Sequence, residues 1–433
     1  MAKVLLFAAD VVPVEDFPAF GGGMRGLQMY RALKNSGHEV LVSCPLNSHM
    51  GRTFADQIPK SLRALNYTDR SQDRIYREIR PDLVVFASNW TTVAGPWWPE
   101  CPTVVDLCGP VLIETMHTTN LIPESLASVL CRKLEVIAQA DLLLCAGERQ
   151  QWYFRQALAL SGISLDRPSP LRVMPLGIDP GLIQERPYPE EPKFVYAGGL
   201  YPWQDPSACL EIVLEVIERR KRGWLYWYGG MLNAERSQCE RFEHITRRVR
   251  SSPRGKLHGP LSFSGICEVL RSMSVSLELM APNVERELAF TTRPPLALGL
   301  GLPVLYGDYA ELSSTIREYE AGWTVACHKR DEIVAIVEEV LNCPEEAARR
   351  GRNAQRLAHE RLSWDRICQP LVEFAAHPEI RADKRPSPFP RGLGALTPRE
   401  ISFLRFLRSP VLQPLRWLLR PLIRRTRDDR GRP

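Results

Sequence analysis

Residues 3–43 read KVLLFAADVVPVEDFPAFGGGMRGLQMYRALKNSGHEVLVS, and this stretch decides the fold. Lys3 to Ala9 is an unbroken apolar run, the mark of a parallel strand covered on both faces. After a loop ending in Gly21-Gly22-Gly23, the pattern predicts a helix from about Met24 to Asn35, stopped by Ser36-Gly37. His38 to Ser43 supplies the next strand. Strand, Gly-rich loop, helix and strand open a doubly wound α/β domain. Glycines before a helix let backbone N–H groups face an anion, or they make a tight turn and nothing more. The spacing is not Gly-x-Gly-x-x-Gly and no acidic residue closes the second strand, which argues against an ordinary dinucleotide site.

The same alternation runs on. Asp82 to Ala87, Thr103 to Leu107 and Asp141 to Cys145 read as further strands, with a helix from about Pro123 to Gln139. Asp106, Glu114 and His117 fall in and just after the strand TVVDL, toward the carboxyl edge where open α/β sheets bind ligands. RVMPLGID, Arg172 to Asp179, reads as a strand leading into a Gly turn. The segment PGLIQERPYPEEP, Pro180 to Pro192, has four prolines in 13 residues and marks a linker. From Lys193 the pattern begins again: KFVYAGG as a strand into Gly198-Gly199, the loop LYPWQDP with Trp203, Gln204 and Asp205, and a helix over Ser207 to Arg222. WLYWYGG, Ser274 to Met280 and PVLYG are strands, Ala234 to Arg250 and Phe263 to Met273 helices. Helices over Asp331–Leu341 and Pro344–Arg361 follow, and SWDRICQPLVEFAAH is a last helix able to pack back across the linker. The chain therefore divides as 1–180, a linker at 181–192, and 193–375, two similar halves that face across a cleft.

Within the second half, RELAFTTRPPLALGLGLPVL (Arg286 to Leu305) joins a carboxylate, Glu287, and a cation, Arg293, to a helix–turn–strand corner. A carboxylate and a cation beside a helix start can hold a phosphorylated ligand. The alternative is a structural Glu/Arg pair.

Composition bounds the rest. The chain has 433 residues, 44% hydrophobic and 24% charged, enough for two cores. Its net charge of +6 is uneven, since residues 381–433 hold 14 Lys/Arg against 4 Asp/Glu and the remainder is mildly acidic. Eleven cysteines form no Cys-x-x-Cys and no zinc-ligand spacing, as expected of reduced thiols in a cytoplasmic protein. The first apolar run is too short for a signal peptide, and no run approaches the ~18 apolar residues of a membrane span. Residues 380–395 are Pro/Gly-rich and read as a flexible spacer. In residues 396–433, Leu, Phe and Trp clusters alternate with arginines, the composition of an interfacial anchor for an anionic membrane. A docking segment for a partner protein or a nucleic-acid arm are the other readings, and nucleic acid is not the expected partner.

These segments together resemble the GT-B glycosyltransferases, particularly the bacterial retaining, family-4-like group. GGGMRGLQMYRALKNSGHEV, ADLLLCAGERQ, RVMPLGID, YAGGL and AFTTRPPLALGLGLPVL resemble that family's signatures, in its order and at its spacing, over roughly residues 3–375. VVDLCGPVLIE and GLYPWQD are similar to a subgroup found among cell-surface polysaccharide genes. The resemblance implies two Rossmann-like domains, a nucleotide-sugar donor in the second half and a glycan or lipid-linked acceptor against the first. It also implies transfer with retention and no bound metal or other cofactor. The residues it points to are Asp106, His117 and Arg293 for catalysis; Gly22, Gly23, Arg25, Gly198, Gly199, Trp203, Glu287 and Arg293 for the donor; and Glu114 on the acceptor side. The tail would then place the enzyme on the inner face of the membrane.

The chain departs from the family at three positions. Leu296 stands where a second Glu usually holds ribose hydroxyls, and Gly199 and Gln204 stand where two phosphate-contacting cations are usual. Arg293 and Arg25 are the cations left to meet a diphosphate. A catalytically degenerate sugar-nucleotide binder, and a sugar-nucleotide epimerase, are the competing expectations.

Overall fold

The computed structural model describes residues 1–13, 17–18, 20–45, 71–88, 97–118, 123–166, 168–230 and 236–384. The 396–433 tail and most of its spacer lie outside the described residues.

The first half runs β1 (Lys3–Phe7), α1 (Gly21–Asn35), β2 (Glu39–Ser43), α2 (Gln72–Ile79), β3 (Leu83–Phe86), β4 (Thr103–Asp106), α3 (Val111–Thr118), α4 (Pro123–Gln139), β5 (Leu142–Cys145), α5 (Glu148–Leu160) and β6 (Leu171–Val173). The second runs β7 (Lys193–Gly199), α6 (Ser207–Arg220), β8 (Trp224–Gly230), α7 (Arg236–Ser251), β9 (Gly255–His258), α8 (Phe263–Arg271), β10 (Val275–Glu278), α9 (Val284–Leu288), α10 (Arg293–Gly299), β11 (Val304–Gly307), α11 (Ser313–Glu318), β12 (Gly322–Val325), α12 (Arg330–Asn342) and α13 (Pro344–Leu357). A π turn over Ala358–Leu362 leads to α14 (Trp364–Ile367) and α15 (Gln369–Ala376).

Each half is built on a parallel six-stranded sheet, in the orders β2-β1-β3-β4-β5-β6 and β12-β11-β10-β7-β8-β9. The apolar runs give this topology for a simple reason: Val4, Leu5, Leu6 and Phe7 of β1 are all fully buried, as strands with helices on both faces must be. The order reverses between β1 and β3 and between β7 and β10, which opens a crevice at the carboxyl end of each sheet.

Several elements differ from the sequence expectation. Of RVMPLGID only Arg172 and Val173 are in a strand, which begins at Leu171, and the rest runs as irregular chain. The last helix is two, split at Cys368 with Pro370 in the second, because proline cannot donate an internal helical hydrogen bond. Their Trp364, Ile367, Leu371 and Ala375 are buried in the core of the first half, among Leu27, Leu33 and Val42.

The chain thus crosses between the halves twice, and the two crossings pair. Ile178 and Ser363 form a parallel bridge: Ile178 N donates to Leu362 O at 2.9 Å, and Trp364 N donates to Ile178 O at 3.0 Å. Downstream, the linker is bolted to the second half. Arg186 donates to the carbonyls of Gly301, Arg271 and Met273 at 3.1, 2.6 and 2.6 Å, satisfying backbone acceptors at the end of α8 and the Gly301 turn. Gly301 itself sits at φ +78°, a conformation that favours glycine.

Candidate active site

A cavity of about 500 Å³ lies between the halves, within the range of small-molecule sites. Its first-half wall is Asp10 after β1, Gly21-Gly22 at the start of α1, Cys108-Gly109 after β4 and Glu114 on α3. Its second-half wall is the Gly198-Gly199 turn after β7, Trp203, Glu278 at the end of β10, Glu285 and Arg286 on α9, and Arg293 and Leu296 on α10. Both walls are strand ends and helix starts.

Of the sequence candidates, Gly22, Glu114, Gly198, Gly199, Trp203 and Arg293 line this cavity. Gly23 does not: a methyl there would strike the carbonyl of Val11, so it is a packing glycine. His117 lies on the exposed end of α3, its ring 6.4 Å from Trp203, outside the cavity lining. Trp203 stacks on Tyr201 at 5.2 Å.

Arg25 and Asp106 require a correction. Both side chains are 0% exposed, and they form a two-pronged pair, Nε to Oδ2 at 2.8 Å and Nη2 to Oδ1 at 3.1 Å. The third prong, Nη1, donates to Pro175 O at 2.7 Å. Burial works against the Arg25 charge, and Asp106 more than offsets it, so the guanidinium stays a cation. The pair joins α1 to the end of β4 and to the segment before the linker. It leaves neither charge facing a ligand.

Glu287 is also displaced from its expected place. It is exposed, and its carbonyl, not its carboxylate, is engaged, by Arg149 Nη1 at 3.0 Å. The carboxylate of α9 that lines the cavity is Glu285, 2% exposed and paired with its neighbour Arg286, whose Nη2 donates to Oε1 at 2.6 Å.

Arg293 is the best-organised group of the site. Its Nε donates to Glu278 Oε2 at 3.0 Å, and its Nη1 to Tyr196 Oη and Gln204 Oε1, both at 3.2 Å. The guanidinium carbon lies 5.0 Å from the Tyr196 ring centroid, a cation–π contact. A methyl on Gly198 would collide with the same guanidinium, so the Gly-Gly turn is what admits it. The cation on α10 therefore lies beside Gly198 and Gln204, against the loop that follows β7. Burial raises the Glu278 carboxyl above the usual carboxylate range, against the pull of Arg293. Burial likewise opposes the charge on Arg293, and Glu278 outweighs it.

The electrostatic sum is unusual for an anion site. Four carboxylates (Asp10, Glu114, Glu278 and Glu285) line the cavity with two guanidiniums, each already paired with a Glu. Pro294 and Pro295 also remove two N–H groups from the start of α10. Glu114 is pushed up to about 7, first by burial and then by the Glu285 charge. Lys133, on α4 behind it, is 4% exposed, donates to Gly109 O at 3.3 Å and lies 4.4 Å from the Phe154 ring centroid. Burial pulls it down to about 7. Among the described residues, no group of three His, Cys, Asp or Glu side chains is placed to hold a metal ion.

The architecture is the GT-B fold. Sucrose-phosphate synthase from Thermosynechococcus elongatus superposes with a TM-score of 0.58 at 15% identity, covering 87% of this chain and 98% of that one. Anabaena HepE, solved in complex with UDP-glucose, gives 0.60 at 14% identity over 87% and 100%. WaaG, a glycosyltransferase involved in lipopolysaccharide biosynthesis, gives 0.56 at 13% identity over 86% and 100%. No protein-family model matches the chain, and no curated protein matches it by sequence.

Sequence reasoning missed Glu278, Tyr196, Arg286 and Lys133, and it placed Glu287 ahead of Glu285, the neighbouring carboxylate that lines the cavity. Glu278 was findable, as the single acid closing an otherwise apolar strand. Lys133 was not, because it lies inside an ordinary amphipathic helix.

Proposed function

We propose that this protein is a glycosyltransferase that moves a sugar from a nucleotide-sugar donor to a glycan or lipid-linked acceptor, with retention. One observation carries the reading: a buried guanidinium, Arg293, is held by three partners against the glycine turn of β7, inside a cavity at the switch points of two facing sheets. A leaving diphosphate gathers charge as the glycosidic bond breaks, and fixed cations in a cavity shielded from water stabilise it. Arg293 and Arg286 supply that charge, and the start of α1 at Gly21-Gly22 brings backbone amides to the same space. Gly198 and Gly199 let the diphosphate approach the sheet edge, and Trp203 offers a stacking face. Glu114 faces the acceptor from the first half. The work asked of these side chains needs no metal. The neighbours' UDP-glucose complex supports a nucleoside-diphosphate sugar as the donor class. The basic tail, residues 396–433, seats the enzyme on an anionic membrane from the cytoplasmic side, where cell-surface polysaccharide or glycolipid is assembled.

A second reading has its own observation. Both cavity guanidiniums are paired with carboxylates and Pro294-Pro295 remove helix-start donors, as in a sugar-nucleotide binder that has lost transfer. Thermal shift with a panel of UDP-, GDP- and dTDP-sugars, followed by donor-hydrolysis kinetics, separates the two. Stabilisation with turnover supports transfer, and stabilisation without turnover supports the binder. No stabilisation by any donor refutes both.

A further inference from the structure

Helix α5, in the first half, begins without a cap of its own: Gly147 precedes it and provides no side chain for its first amides. The cap comes from the other half. Glu311, between β11 and α11, accepts from Glu148 N at 2.5 Å and Arg149 N at 3.3 Å, one carboxylate oxygen to each. Gly147 makes room, because a methyl there would collide with that carboxylate, although its backbone, at φ −164°, suits any residue.

The reciprocal contact is equally specific. Arg149, in the first turn of α5, donates from Nη1 to Glu287 O at 3.0 Å and to Tyr309 O. Glu287 lies in the last turn of the five-residue α9, where its own carbonyl falls beyond the helix's internal hydrogen bonds. An anion from the second half thus meets the positive end of a first-half helix, and a cation from the first half meets the negative end of a second-half helix. Each pairing has the favourable sign. The helix whose end is held, α9, carries Glu285 and Arg286 into the cavity.

We propose that Glu311 and Arg149 form a clasp that closes the cleft and positions α9, so that Glu285 and Arg286 are held against the ligand only while the halves are joined. The paired crossing at Ile178 and Ser363 is the hinge about which they part. Glu311 and Arg149 are positioning residues, acting through α9. The claim deepens the glycosyltransferase reading by naming how its site is assembled, and its kinetic arm rests on that reading.

The test uses the full-length protein and three variants, Gly147→Ala, Glu311→Ala and Arg149→Ala, with Arg149→Lys as the conservative control. Hydrogen exchange of the ligand-free proteins is followed at the start of α5 and across α9, and small-angle scattering gives the radius of gyration. Gly147→Ala and Glu311→Ala are expected to speed exchange at least tenfold in both places, including α9, which neither substitution touches, and to enlarge the radius. Exchange in β7 and β10 should not change, which separates opening from general unfolding, and Arg149→Lys should recover part of the protection lost in Arg149→Ala. Wild-type exchange at α9 and a wild-type radius in both Gly147→Ala and Glu311→Ala would overturn the clasp. UDP release, measured by stopped flow, should quicken about tenfold in the same variants with the maximal transfer rate less affected than KM. If UDP does not bind the wild-type protein, the donor reading fails, and exchange and scattering still decide the clasp.

Discussion

Replacing Arg293 by alanine removes three hydrogen bonds and, more importantly, the partner of a carboxylate that is 2% exposed. Glu278 then keeps Ser276 Oγ at 3.3 Å as its neighbour in the sheet. Breaking a buried pair from one side costs about 3–5 kcal/mol. Glu278 is already raised by burial, and losing Arg293 raises it further, so proton uptake offsets part of the loss, which settles near the lower end, about 3 kcal/mol. The sign with pH follows. A carboxyl raised in the folded state penalises folding above its unfolded pKa, so the deficit of the variant shrinks as the pH is lowered through the folded pKa. Urea denaturation at pH 5 and pH 8 measures both numbers. Ligand affinity is a separate loss: a charge-assisted hydrogen bond to phosphate is worth about 1.5–3 kcal/mol, or roughly 10- to 150-fold in the UDP dissociation constant. The double variant Arg293→Met with Glu278→Gln separates the two, since exchanging a whole buried pair for neutral groups is often neutral in stability. It should fold nearly as well as wild type and still bind UDP at least tenfold more weakly by calorimetry. Wild-type UDP affinity in that double variant would refute Arg293 as the diphosphate cation.

Three further outcomes are expected. Asp106→Ala strands a fully buried Arg25 and should cost about 3–5 kcal/mol in urea denaturation, whereas an exposed catalytic aspartate would cost almost nothing. Glu114, held near 7 against a usual value of 4.5, weakens folding as the pH rises from about 4.5 through 7. Glu114→Gln should therefore match wild type at pH 4 and exceed it by about 3 kcal/mol at pH 8, and equal stabilities at both pH values would show that the carboxyl is not perturbed. Deleting residues 396–433 should abolish cosedimentation with vesicles of anionic lipid while leaving the thermal response to UDP intact, and persistent vesicle binding would place the membrane contact elsewhere.

The doubled α/β plan was legible because its strands are buried on both faces and therefore written as apolar runs that need no partner to be recognised. Leu171–Val173 shows the limit. Only Arg172 and Val173 of RVMPLGID pair with β5, beside Leu171, and the remainder is shaped by contacts with Leu362 and Trp364 that lie far along the chain. Of the cavity lining, Gly22 and Gly198-Gly199 were legible because the backbone itself makes the wall there, and Arg293 because it is the cation of AFTTRPPLALGLGLPVL. The site was illegible where helical phase decides. Arg25 follows the glycine loop closely enough to suggest a cleft residue, yet it lies on the inward face of α1 and meets Asp106, 81 positions on. Glu285 and Glu287 stand two apart on a five-residue helix, so that one is buried and the other exposed. No local pattern chooses between them.

The return of α14 and α15 to the first half has a consequence for the order in which the protein is made. Domains usually form in the order in which the ribosome releases them. Here the core around Leu27, Leu33 and Val42 lacks Trp364, Ile367 and Leu371 until almost the whole of the described chain has been synthesised. The second half, whose two cores draw on residues 178 to 362, has its complete complement before then. The part of the chain that is born first is thus the part completed last, with the exposed face of α1 waiting through the synthesis of everything between.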